Sequence, residues 1–99
     1  MIVGTRFYAT TTKKLLVDNS PTRQRLIIQN VDATQALGIF KPKDKPDECL
    51  IVYSKSWIEL EDKLEDADKE WWAMAQAGTV GSININVVEV YEEPKGWLW

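Results

Sequence analysis

Trp57-Ile58-Glu59-Leu60-Glu61 decides how the rest of the chain is read. Ile58 and Leu60 alternate with two glutamates, the two-residue period that turns successive side chains to opposite faces of a strand. Trp57 falls on the glutamates' face. Working outward, short β-rich segments recur every eight to twelve positions: Arg6 to Thr10, Lys13 to Val17, Gln24 to Val31, Ala36 to Phe40, Glu48 to Tyr53, Trp71 to Gln76 and Ser82 to Tyr91. Turn formers separate them at Asp18 to Pro21, Asp32 to Thr34, Lys41 to Asp47 and Gly78 to Gly81. That spacing belongs to sandwiches and barrels. It predicts an all-β fold, a small antiparallel β-sandwich of jelly-roll-like type, with its core built chiefly from Leu26, Ile28, Ile58, Leu60, Ile83 and Ile85.

Two stretches strain this pattern. In Ile83 to Val90 the apolar phase changes at Val87 and Val88, which predicts a bulge or a strand that moves between sheets. Glu61 to Glu70 is rich in helix formers, with Leu60, Leu64 and Ala67 at helical spacing, and has room for a short helical turn near 61–70.

A chain of 99 residues has the size of one domain. Residues 1–93 are read as a single sandwich and 94–99 as an aromatic arm. Pro94 discourages continuation of the preceding strand, Gly96 frees the chain to turn, and Trp97, Leu98 and Trp99 are three large apolar groups in need of a partner surface. No apolar run reaches the roughly 20 residues that cross a bilayer. Met1 to Thr12 lacks the apolar stretch of a secretory leader, so the chain is expected to work in solution, away from membranes.

The composition bears on chemistry. There is no histidine, which removes the commonest general base and the commonest metal ligand. Cys49 is the single cysteine, so an internal disulfide is ruled out and a thiolate metal site is implausible; it is read as a small hydrophobe in a strand. The expectation is a protein that is not an enzyme, without catalytic residues, cofactor or metal. The net charge of −3 divides into +4 over residues 1–25, zero over 26–58 and −7 over 59–99. This is not the concentrated basic face of a nucleic-acid binder. Either the split aligns neighbouring copies head to tail, or strands from the two halves interleave and the charges mix.

Three motifs remain. Glu59, Glu61, Asp62, Glu65, Asp66, Asp68 and Glu70 form an acidic run without the spacing or the glycine of a calcium loop, and read as a solvated loop. Lys41 to Pro46 reads as a soluble hairpin tip whose prolines and lysines discourage edge pairing. Five tryptophans are many for a sandwich of this size. Trp71 and Trp72 are adjacent and must face opposite ways, so two to four tryptophans are expected outside the core, where tryptophan marks interface hot spots. The interface residues predicted are Trp57, Trp97, Leu98 and Trp99.

Arg25-Leu26-Ile27-Ile28-Gln29-Asn30, Ala36 to Phe40, Trp57 to Glu61, Trp72 to Thr79 and Ile85 to Val90 together resemble the small β-sandwich structural proteins of tailed-phage virions, of the head-decoration and head-fibre-base type. The resemblance runs from Arg23 to Val90, about two thirds of the chain. The lysine-rich and acid-rich insertions and the aromatic tail depart from it. It implies a non-enzymatic virion protein, made in the host cytoplasm and carried on the particle. Capsid decoration or another head-associated role comes first, with contacts to capsid or other virion proteins and homo-oligomeric or lattice-bound copies; a connector or tail component is the variant of that reading. A carbohydrate-binding module is the rival class, with tryptophans to stack on sugar rings and Asn84, Asn86 and Gln76 as polar partners.

Overall fold

Eight strands form, and no helix forms among the described residues, which in this computed structural model are 1–61 and 65–92. In chain order they are β1 (Ile2–Ala9), β2 (Lys14–Val17), β3 (Arg23–Asn30), β4 (Leu37–Phe40), β5 (Leu50–Val52), β6 (Ser56–Glu61), β7 (Trp71–Ala75) and β8 (Ile83–Tyr91). Each lies within a few residues of a segment read from the alternation. The largest extension is β1, which begins at Ile2 rather than Arg6.

The pairing follows a simple rule. β1 pairs with β8, β2 with β7, β3 with β6 and β4 with β5, all antiparallel, as in one long hairpin whose tip is the β4–β5 connection. Two further pairings, β3 with β8 and β4 with β7, roll that hairpin into two sheets of order β1-β8-β3-β6 and β2-β7-β4-β5. This is the arrangement of a jelly roll. Because the first half of the chain pairs with the second, basic and acidic segments meet at places such as Arg25 on β3 opposite Glu61 on β6.

The core lies between the sheets. From the first sheet come Leu26, Ile28, Leu60, Ile83, Ile85 and Val87, all buried, with Ile58 packed against them at the edge. The second sheet contributes Leu37, Ile39, Val52, Trp71, Ala73 and Ala75. Small residues on β7 leave room for the leucines and isoleucines opposite, as dense packing requires.

The irregularity expected in β8 is on β3 instead. β8 keeps one phase, with Ile83, Ile85, Val87, Glu89 and Tyr91 turned inward, and its pairing with β1 is unbroken. The register shift falls between Arg23 and Arg25, where Gln24 is the extra residue. Continued alternation would have turned Gln24 inward; the bulge turns Arg23 inward instead. Arg23 is 1% exposed, and its guanidinium organises that end of the sandwich. Nε donates to the Ala67 carbonyl (2.7 Å), Nη1 to Glu89 Oε1 (2.9 Å), and Nη2 to the carbonyls of Asp18 and Lys69 (2.8 Å each). The Tyr91 hydroxyl donates to the same Glu89 oxygen (2.8 Å).

The other end of β3 is organised in the same way by a buried asparagine. Asn30 Nδ2 donates to the carbonyls of Gln35 (2.8 Å) and Val52 (3.1 Å), and its Oδ1 accepts from the Asp32 N–H (2.9 Å).

The helical turn suggested near 61–70 falls partly on residues 62–64, outside the described residues; among the described ones no helix forms, although the Glu65 N–H donates to the Glu61 carbonyl (2.9 Å). Asp66 takes a left-handed backbone (φ 59°), Ala67 is fully buried, and its carbonyl is one of those that Arg23 holds. Leu60 and Ala67 thus share a core through strand and turn rather than a helix face. Residues 62–64 lie outside the described residues, as does the arm from residue 93 onward.

Candidate interaction surfaces

The outer face of the first sheet follows from its register. One row across all four strands reads Arg6, Asn86, Gln29 and Trp57. Three of its members are joined side chain to side chain: Arg6 Nε donates to Asn86 Oδ1 (2.8 Å), and Asn86 Nδ2 donates to Gln29 Oε1 (3.2 Å). Trp57, on the edge strand β6, is 64% exposed; Tyr8, on the opposite edge strand, is 54% exposed and pairs in register with Asn84. Beside the row lies an open depression of about 350 Å³, bordered by Gly4, Arg6, Gln29, Asn86 and Val88. A methyl group at the Gly4 Cα would enter open space, meeting nothing within 4 Å. The next row ends in Glu59, which makes an exposed, diagonal ion pair with Arg25 (3.1 Å).

The outer face of the second sheet is different. Leu15, Trp72, Phe40, Gly38, Met74 and Ile51 make it apolar by register. Phe40 is nevertheless 1% exposed. Part of the cover is the β4–β5 loop, which the sequence suggested was only a soluble tip. Lys43 Nζ sits 5.6 Å from the centre of the Trp72 ring, and Lys41 Nζ 6.0 Å from that of Trp71 while bonding Asp66. That bond holds the Asp66 carboxyl below its usual range. Cys49 lies just ahead of β5 and packs over Gly38: a Cβ on Gly38 would come within 3.1 Å of the Cys49 sulfur and 3.2 Å of Gln76 Nε2, so only glycine leaves that approach open.

The sequence-predicted residues are distributed as follows. Trp57 is exposed on the first sheet. Trp97, Leu98 and Trp99 lie outside the described residues. Trp71 is core and Trp72 is half-buried on the opposite face, as adjacency demands. Asn84 and Asn86 share a face with Trp57, whereas Gln76 stands at Gly38 on the other sheet. Gln29, Arg6 and Tyr8 were missed; a pairing register was needed to bring them beside Asn86 and Trp57. The described acids are dispersed in pairs, Glu59 with Arg25, Asp66 with Lys41 and Asp68 with Lys69, and no three possible ligands converge among the described residues.

Comparison of the chain with family models, curated proteins and solved structures finds no match.

Proposed function

We propose that this chain is a non-enzymatic structural protein acting through protein–protein contacts, and that it belongs to a tailed-phage particle as a capsid decoration or other head-associated protein. The observation that carries the reading is the distribution of large apolar side chains. Trp57, Tyr8 and Leu15 stand 64%, 54% and 40% exposed on the outer faces of a sandwich whose core is otherwise filled. Exposed aromatic groups on a small rigid domain are characteristic of contact surfaces. The jelly roll recurs in viral coat domains, which supports the assignment by analogy of fold. Repeated copies on a lattice fit the same picture, since weak contacts multiply when many are made together.

The test is to look for the protein in purified particles by mass spectrometry and to locate it by cryo-electron microscopy. Stoichiometric copies on the head support the proposal, and copies confined to the tail or connector would move it there. Absence from particles that carry every other virion protein sinks it.

A further inference from the structure

We propose that the outer face of the first sheet is a saccharide-binding platform, built on the Arg6–Asn86–Gln29–Trp57 row and the depression beside it. This goes beyond the structural role and does not rest on it. At about 4.8 Å between strands, the row extends about 14 Å across the sheet, long enough for an extended ligand rather than a single small ion. Its chemistry is that of hydroxyl recognition. Side-chain amides offer donors and acceptors together, as sugar hydroxyls do. The bonds within the row hold Asn86 by both its amide atoms, so these side chains are already oriented when a ligand arrives. The guanidinium of Arg6 keeps its Nη groups beyond the bond that Nε makes.

Apolar surface is placed where a sugar ring needs it. Trp57 offers an exposed indole at one end of the row, with Tyr8 on the far edge strand. On the side of the row away from Tyr8, the depression is bordered by Gly4 and Val88 together with Arg6, Gln29 and Asn86, a recess that sets a ring's C–H face beside the amides. Other ligand classes fit less well. Arg6 is the single cation in the row, too few for a polyphosphate or nucleic acid, whose recognition rests on several. A peptide strand would add to a sheet edge, where main-chain groups are free, rather than to a face. A neutral oligosaccharide matches both the amides and the aromatic ends.

The experiment is retention of the intact protein on immobilised β-glucan, α-glucan, mannan and galactan, followed by calorimetric titration with soluble fragments of whichever glycan retains it. We expect retention on at least one of the four. Trp57→Ala and Asn86→Ala should each weaken it by about tenfold or more. Gly4→Leu, which fills the depression, should abolish it, while Tyr53→Ala, in the β5–β6 turn, leaves it unchanged. Thermal melting of every variant separates lost binding from lost folding. Failure of the wild-type protein to bind any of the four overturns the proposal, as does binding that survives both Trp57→Ala and Asn86→Ala.

Discussion

Two arginine–asparagine sets in this small domain use the same functional groups for opposite ends. Arg23 and Asn30 terminate β3 from inside the sandwich, and their partners are mostly main-chain carbonyls of loops belonging to the far sheet. Arg6 and Asn86 lie on neighbouring strands of the outer face and bond side chain to side chain, in contact with solvent. The first set fixes where loops run; the second fixes only its own members. A buried polar group is costly unless satisfied, so the interior set is committed to its partners. Solvent can replace the bonds of the outer set, so that face is free to change partners. On the proposed reading, stability and recognition rest on different atoms.

Arg23→Ala should produce the largest effect. It leaves three loop carbonyls without their donor and Glu89 without its counter-charge, with only the Tyr91 hydroxyl bonded to it, and breaking a buried charged pair in this way costs about 3 to 5 kcal/mol. Chemical denaturation should show that loss, with Arg23→Lys intermediate because a single ammonium cannot span the same set of acceptors. Asn30→Ala comes next. It strips two carbonyls and one N–H of their partner, for a loss of about 1 to 3 kcal/mol. Equal losses from Arg23→Ala and Arg6→Ala would erase the distinction between the two sets.

How far the sequence discloses this can be read from the same residues. Alternation in Trp57 to Glu61, Gln24 to Val31 and Ser82 to Tyr91 located the strands and placed Leu26, Ile28, Leu60, Ile83 and Ile85 inside. It was silent on Arg23 because a bulge is a property of two paired strands: β3 alone gives no sign that Gln24 is the extra residue. It attributed to Val87 and Val88 an irregularity that belongs to β3, because Val88 is an apolar residue on an outer face. Leu60 and Ala67 looked helical because a strand followed by a tight turn can bury the same positions. The inner face of the second sheet was under-read, since its alanines on β7 carry little hydrophobic signal. The outer row containing Trp57 was half legible: Trp57 and Asn86 were visible, but only the register joins Arg6 and Gln29 to them.

A smaller effect is expected where the β4–β5 loop is strapped to the acidic turn. The Asp66 carboxyl is held below its usual range by its hydrogen bond to Lys41. A depressed carboxyl contributes stability that is present above its unfolded pKa and is lost as pH falls through its lower folded value. Asp66→Asn should therefore melt slightly below wild type at neutral pH, with the gap closing in strong acid. A gap that widened on acidification would reverse the sign and rule out the strap. The strap is exposed, so the difference should be small beside that of Arg23.

The smallest effect on stability, and the most informative for function, is expected at Trp57. That recognition resides on the outer face, apart from what holds the fold together, is tested most directly by Trp57→Ala measured twice: thermal melting of the isolated protein and, under the proposed virion role, copies retained on purified particles. The prediction is a change in stability within about 0.5 kcal/mol, as for an exposed site, together with a clear fall in retained copies. A destabilised protein that is retained as fully as wild type would contradict it.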